Sequence, residues 1–454
     1  MRSKLFSPFW LPIWSFLGAI SLGGAILHFD FAQQPGNAPL SWLDALFTST
    51  SAVCVTGLVV VDTGTSFSFA GQGILLCLIQ LGGLGVMTYS SLIFFLLGRR
   101  VSLADRTAVG KTLLHDPSFS LRRFILLVVL GTLALEAMGA SALFLLDTQG
   151  FSVWSAVFHS VSAFCNAGFS LEADSLTSWR GNLPVNLVFI FLITVGGLGF
   201  FVIHDCVRVL RGRWSPRPES LRPRLTWHSR MVLSTSLFLV LAGTVAIFFA
   251  EMLGGVWEAS WSEIGLAALF QSVSCRTAGF NSLEVGNMTN VSLLVMIGLM
   301  FVGGSPGSCA GGVKTTTARV MWAFLKAQFR GGQQVKVGRF AVDRLTMGRA
   351  FTLVAVAAML ICTATLVLNI VQGGDVPHAE ARGLLLETLF EATSAFGTAG
   401  LSTGMTANLS VVGKLLVMTL MLVGRLGPIW LLSALVAWQE EPRYRLPEKD
   451  VPLG

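Results

Sequence analysis

Charge is what this chain has least of: only 12% of its 454 residues are Asp, Glu, Lys or Arg, while 53% are hydrophobic. Soluble domains carry about 25% charged residues, so a soluble globular fold is excluded at the outset. Several chemistries are missing as well. No G-x-G-x-x-G follows a strand pattern and no P-loop occurs, which leaves nothing to cradle a nucleotide phosphate. There is no H-x-x-x-H or paired-carboxylate spacing, and His28, His159, His204 and His228 lie near opposite membrane faces, so a membrane enzyme has no constellation to work with. Cys54, Cys77, Cys165, Cys206, Cys275, Cys309 and Cys362 include no C-x-x-C pair and fall in or beside apolar segments, as small buried hydrophobes rather than disulfides or metal ligands.

What is present is apolar length. Gly73 to Leu97, Phe124 to Leu146, Leu183 to Ile203 and Phe351 to Val371 each approach the ~20 residues that cross a bilayer, and about eight such spans are predicted. The first 30 residues resemble a signal peptide, but no small-residue cleavage site follows Ile26, so they are read as a spanning helix. Of the 31 Lys and Arg, 26 fall in the termini and three loops: Arg2 and Lys4, Arg99 to Arg123, Arg208 to Arg230, Lys314 to Arg349, and Arg443 to Lys449. The alternate loops carry acids such as Asp62, Asp147, Glu172, Asp174, Glu284 and Glu380. The positive-inside rule then places both termini in the cytoplasm, and the bases flank spans rather than forming a nucleic-acid-binding stripe.

The segments SAVCVTGL, SAFCNAGF, SCRTAGF and SAFGTAGL recur around Gly57, Gly168, Gly279 and Gly400, with Phe47, Phe158, Phe270 and Phe390 nine or ten residues before each. Four matches in register define four repeats, assigned to residues 1–105, 106–215, 216–335 and 336–454. Each contains a long apolar span, an outer loop, an apolar stretch too short to cross, the glycine segment and another span. Ser41 with Asp44 and Ser260 with Glu263 have the spacing of helix N-termini, and Trp42, Trp154 and Trp261 mark a membrane interface beside them. The short helices therefore enter from outside, and their C-termini bring roughly −0.5 charge each to the membrane interior. Irregular backbone at that depth must line a cavity, and carbonyls turned into it can replace the water of a potassium ion where glycine frees φ. Ordinary glycine-mediated helix packing is the competing explanation for any single copy.

A second glycine cluster follows each segment, and the third, GGSPGSCAGGVKTTT from Gly303 to Thr317, breaks any continuous helix. Arg425 lies inside the last span, where an unpaired charge costs at least ~2.5 kcal/mol and marks function. Glu136 and Glu251 are read as acids snorkelling to the outer interface rather than as vestibule residues.

FHSVSAFCNAGFS (Phe158 to Ser170), FQSVSCRTAGFNS (Phe270 to Ser282) and FEATSAFGTAGLSTG (Phe390 to Gly404) resemble the Trk/Ktr/HKT superfamily of potassium transporters over nearly the whole chain, with the first copy the most divergent. With no extra leading helix pair, the chain is closer to the KtrB pore subunits than to the longer TrkH subunits. The resemblance implies an all-α integral membrane protein of four linked M1–P–M2 units around a central pore. It implies K+ coordination by the carbonyls of Val55, Thr56 and Gly57; Asn166, Ala167 and Gly168; Thr277, Ala278 and Gly279; and Thr398, Ala399 and Gly400. A glycine in every copy goes with potassium selectivity, with Na+ as a second ion. Arg276 is expected to point away from the pore. The resemblance makes Gly303, Gly304, Ser305, Pro306, Gly307, Ser308, Gly311 and Gly312 an intramembrane gating loop, with Arg425 facing it and raising the barrier to cations. It further implies residence in the bacterial inner membrane, a homodimer in lipid and a KtrA-like cytoplasmic regulatory ring that supplies the nucleotide site this chain lacks. A secondary transporter of another cation or solute is the rival reading, since transporters also use repeats and broken helices.

Overall fold

The computed structural model describes residues 10–84, 121–213, 222–255, 260–332, 334–374, 377 and 379–427. The expected repeat boundaries near residues 105 and 215, and the basic residues Arg2, Lys4, Arg443, Arg445 and Lys449, lie outside the described residues. In chain order the helices are α1 (Leu11–His28), α2 (Trp42–Cys54), the single-turn α3 (Thr63–Ser66), α4 (Phe69–Gly83), α5 (Leu121–Leu146), α6 (Val153–Cys165), α7 (Leu183–Leu198), α8 (Phe200–Arg213), α9 (Trp227–Gly254), α10 (Trp261–Ser274), α11 (Asn290–Phe301) and α12 (Thr315–Phe329). A short antiparallel hairpin of β1 (Lys336–Val337) and β2 (Phe340–Ala341) precedes α13 (Arg344–Gly373), α14 (Leu384–Gly397) and α15 (Val411–Leu426).

The chain is organised inside out relative to a soluble protein. Helices α5, α9 and α13 turn Leu130, Leu145, Leu237, Phe238, Leu366 and Ile370 outward, whereas the short helices bury Thr48, Ser49, Thr50, Ser51, Ser160, Ser162, Ser272, Ser274 and Thr393. Apolar exterior and polar interior are what a lipid solvent selects, because no water there competes for the backbone. Among the described residues α5, α9 and α13 are long and apolar enough to cross a membrane, and α7 with α8 makes a fourth if the pair counts as one bent span. The stretch Leu183 to Ile203, expected as one span, is not straight: it bends by 106° between Leu198 and Phe200. Gly199 supplies the break with φ +88°, and the Phe200 N–H freed from the helix donates to the Gly307 carbonyl at 3.2 Å. Helix breaking is therefore not confined to the third glycine cluster.

The short helices start where side chains cap them. Ser41, Ser152 and Ser260 accept the backbone N–H of Asp44, Ser155 and Glu263, and Glu263 completes a capping box on α10. Each such cap contributes about 1 kcal/mol. Helix α14 starts instead from Gly383 in the left-handed conformation.

Three short helices then pack on a preceding helix through one device. Ser49, Ser160 and Ser272 donate to the carbonyls of Ile20, Glu136 and Val240 at 2.8, 2.7 and 2.8 Å. Gly23, Gly139 and Gly243 let them approach, since a Cβ there would sit 2.5, 2.4 and 2.4 Å from the serine oxygens.

Neighbouring units meet as α4 on α6, α7 on α10, α11 on α14 and, closing the circle, α15 on α2. Lys414 on α15 fixes that last seam with a 2.6 Å ion pair to Asp44 on α2. Lys414→Met is expected to cost up to about 1 kcal/mol of stability. A Lys414→Asp, Asp44→Lys exchange should restore the thermal midpoint in detergent, and an exchange no better than the single variant would remove the pair from this role.

Candidate functional site

The four short helices release the chain toward a common centre with the same backbone signature. Two positions before each repeat glycine stands a residue with positive φ: Val55 (+55°), Asn166 (+60°), Thr277 (+74°) and Thr398 (+50°). The glycines follow at +94° (Gly57), +71° (Gly168), +80° (Gly279) and +78° (Gly400). Thr56, Ala167, Ala278 and Ala399 between them keep negative φ, so handedness alternates and successive carbonyls can face one side instead of spiralling. Left-handed backbone costs an L-residue about 1–2 kcal/mol, more conspicuously for the β-branched Val55, Thr277 and Thr398.

Helix-end hydrogen bonds offset that strain. The N–H groups of Thr56, Ala167 and Ala399 return to the carbonyls of Ser51, Ser162 and Ser394 at 2.8, 2.7 and 2.8 Å. The third copy, one residue shorter between Phe270 and Gly279, closes differently, with Ala278 N–H donating to the Ser274 carbonyl at 2.9 Å.

The four segments form a closed ring. A Cβ added to Gly57 would lie 2.5 Å from the Ala167 carbonyl oxygen, one on Gly168 would lie 2.7 Å from Gly279 Cα, one on Gly279 would lie 3.1 Å from the Ala399 oxygen, and one on Gly400 would lie 2.0 Å from the Thr56 oxygen. Each glycine thus touches its neighbour's backbone, and the fourth meets the first. Above them opens a cavity of about 290 Å³ lined by all four glycines together with Asp62, Glu172, Asn281 and Ser402.

Side chains behind the ring hold it without entering it. The Ser51 hydroxyl accepts from Gly57 N–H at 3.1 Å, and those of Ser162 and Ser274 donate to the Phe169 and Phe280 carbonyls at 2.7 and 2.6 Å. Assigned so that its NH2 faces acceptors, the Asn166 amide reaches the carbonyls of Ala163, Phe164 and Ile193 at 3.2–3.3 Å. Arg276 also points outward, donating to the carbonyls of Ser236 and Gly303 at 3.3 Å each.

Beneath the ring, residues 303–312 run as irregular backbone between α11 and α12, tied across units. Ser305 and Cys309 N–H groups donate to the Gly197 and Gly196 carbonyls at 3.1 and 3.3 Å, and Gly311 N–H donates to Thr398 Oγ1 at 3.1 Å. Val302 and Val313 bridge the two ends of the segment. Lys314 donates to the Ala310 carbonyl at 2.5 Å. Arg425, 6% exposed, reaches the segment from α15: one guanidinium nitrogen donates to the Cys309 carbonyl and another to the Gly82 carbonyl at the end of α4. The structure therefore gathers the twelve expected filter residues into one ring and the segment with Arg425 into one cluster below it.

The sequence model of the TrkH family, described as a cation transport protein, matches residues 23–442. The chain belongs to the TrkH family. This makes it a multi-pass membrane transporter rather than an enzyme. It is similar to the potassium/sodium uptake protein NtpJ of Enterococcus hirae, 32% identical over 99% of this chain and 98% of that one. It is also 33% identical to the Ktr system potassium uptake protein B of Bacillus subtilis (97% of this chain, 95% of that one) and 34% identical to that of Vibrio alginolyticus (97% and 93%). The crystal structure of the potassium transporter TrkH from Vibrio parahaemolyticus shares its fold, with a TM-score of 0.72 at 20% identity, covering 97% of this chain and 86% of that one.

Several side chains of this TrkH-family member depart from expectation. Glu136 and Glu251 do not snorkel: they are 4% and 1% exposed. Glu251 accepts from the N–H and hydroxyl of Thr289 at 3.1 and 3.0 Å, at the start of α11. Glu136 accepts from Gln80 Nε2 at 3.1 Å and faces Cys165 Sγ at 3.7 Å. Cys77 and Cys362 are exposed on the outer helix surface instead of buried. Glu391, missed in the sequence, is fully buried behind the fourth segment and accepts from Ser402 at 2.9 Å and from Thr406. His159 holds the matching place in the second copy, bonded to Ser170 at 3.0 Å. The signal for both was the residue after each repeat phenylalanine, which reads Thr48, His159, Gln271 and Glu391. Outside the helices, the Trp179 indole and the Gly150 N–H hold the Asp147 carboxyl below its ordinary range.

Proposed function

We propose that this chain takes up potassium across the bacterial inner membrane. Four M1–P–M2 units would surround one pore, with about eight spans and both termini cytoplasmic. The observation that carries the reading is the closed ring of Gly57, Gly168, Gly279 and Gly400, each in left-handed backbone, beneath an outward-opening cavity. Carbonyls of Val55, Thr56, Asn166, Ala167, Thr277, Ala278, Thr398 and Ala399, with those of the glycines, replace the hydration shell of K+. Short-helix C-termini add about −0.5 charge each around the same point. Asp62 and Glu172 at the mouth concentrate cations ahead of it.

The segment Gly303 to Gly312 then closes the path below, and Arg425 raises the barrier to any cation passing it. Relatives named for potassium and potassium/sodium uptake favour K+ as cargo and Na+ as co-ion over another solute. A homodimer governed by a KtrA-like cytoplasmic nucleotide-binding ring completes the proposal, and relatives named as parts of a Ktr system fit a further component.

Expression in a potassium-uptake-deficient bacterium, with a Ktr regulatory subunit and with or without sodium, should restore growth at low potassium. No growth in either condition, with the chain present in the membrane, would sink the assignment. Rubidium flux competed by other solutes separates the pore from a secondary transporter.

A further inference from the structure

Below the ring lie a buried arginine and a half-buried lysine. Arg425 bonds the Cys309 carbonyl, and Lys314 bonds the Ala310 carbonyl next to it. Both partners are neutral, so neither cation is offset where it binds. Buried charge of one sign normally has a counter-charge within reach.

Glu136 is the buried acid tied to the same turn of α4 as Arg425. Its carboxylate lies 3.1 Å from Gln80 Nε2 and 3.7 Å from Cys165 Sγ, while Cys165 Sγ also faces Gln80 Oε1 at 3.5 Å. Gln80 sits in the last turn of α4, and two residues on, the Gly82 carbonyl accepts from Arg425. One residue further, a Cβ on Gly83 would lie 2.4 Å from Cys165 Sγ. One helix turn is thus gripped by the carboxylate through Gln80 and by the guanidinium through Gly82. On the loop side, Cys309 N–H bonds the Gly196 carbonyl, and a Cβ on Gly196 would lie 1.9 Å from the carbonyl oxygen of Phe164, beside Cys165. The other buried carboxylates among the described residues are committed elsewhere: Asp205 to Arg208, Glu251 to Thr289, and Glu391 to Ser402 and Thr406 near the outer cavity.

We propose that Glu136 is a positioning residue for ion passage: its carboxylate balances Arg425 beneath the ring and, through Gln80 and Cys165, holds the end of α6 from which the second filter segment departs. This rests on the reading of the ring as a cation path. With the acid neutralised, Arg425 stands uncompensated and the barrier below the filter rises. At an effective dielectric of about 20, loss of one such charge changes passage on the order of tenfold.

The test is rubidium uptake into proteoliposomes by the purified chain with its regulatory ring, comparing wild type, Glu136→Gln, Glu136→Asp, Arg425→Gln and the Glu136→Gln, Arg425→Gln pair. Wild-type uptake must first exceed that of empty vesicles; its absence would overturn the transport reading itself. Given that uptake, Glu136→Gln should fall about tenfold while Glu136→Asp keeps most of the flux, and the pair should come within about twofold of Arg425→Gln alone. Flux of Glu136→Gln equal to wild type would overturn the proposal, as would an equal loss in both Arg425 backgrounds. If Glu136→Gln does not assemble, recovery of assembly by Arg425→Gln supports charge balance, and failure in both backgrounds reduces Glu136 to packing.

Discussion

Replacing Gly400 with alanine is expected to abolish rubidium uptake, with a loss of at least about a hundredfold, while the protein still reaches the membrane. The new methyl group would lie 2.0 Å from the Thr56 carbonyl oxygen and 3.0 Å from Gly57 Cα, and both are backbone that cannot rotate away. The ring must open by an ångström or more at the seam between its fourth and first segments, and a displacement of that size at a reacting site costs on the order of a hundredfold. Positive φ alone does not explain such a loss. Gly36 has φ +95° with nothing within 4 Å of its would-be Cβ, so Gly36→Ala carries the conformational cost of about 1–2 kcal/mol without the collision. Gly36→Ala should therefore transport nearly as wild type. Equal effects at the two positions would show that strain, and not closure of the ring, is what the glycines relieve.

Removing the buried charge at Arg425 is expected to act in the opposite direction. Arg425→Ala takes away both the positive field below the ring and the link between the Cys309 and Gly82 carbonyls. Basal rubidium flux without the regulatory ring should rise about tenfold, the order expected for one unit charge in a medium of effective dielectric about 20. Arg425→Lys separates the two contributions, because an ammonium keeps the charge but cannot reach two divergent carbonyls as a planar fork does. It should leave flux low while loosening the segment. Unchanged flux and unchanged regulation in Arg425→Ala would remove this residue from the gate.

The repeat glycines were legible because four copies in register carry the same pattern, although the interval from Phe270 to Gly279 is one residue shorter than the others. What that deletion does was not legible. It shortens the exit from α10 so that Arg276 projects toward Ser236 and Gly303, a result that depends on the position of α9. No role for Gly82, Gly196 or Gly424 could be read from the second glycine clusters, yet each meets a short-helix carbonyl, with would-be Cβ atoms 2.1, 1.9 and 1.9 Å from Val53, Phe164 and Phe396 oxygens. Glu136 was misread for a related reason. Its partners Gln80 and Cys165 stand 56 and 29 residues away, and hydropathy along one helix cannot distinguish a face turned to lipid from one turned to another unit.

The seam between α15 and α2 also bears on how the molecule comes to be made. Three of the four junctions of the ring join units that follow one another along the chain, but Lys414 and Asp44 are 370 residues apart. During synthesis the first three units can dock in the order they leave the ribosome. The ring cannot shut until the fourth has inserted and Gly400 has met Thr56. Until then the nascent protein is an open arc, and the closed ring is the last part of the fold to form.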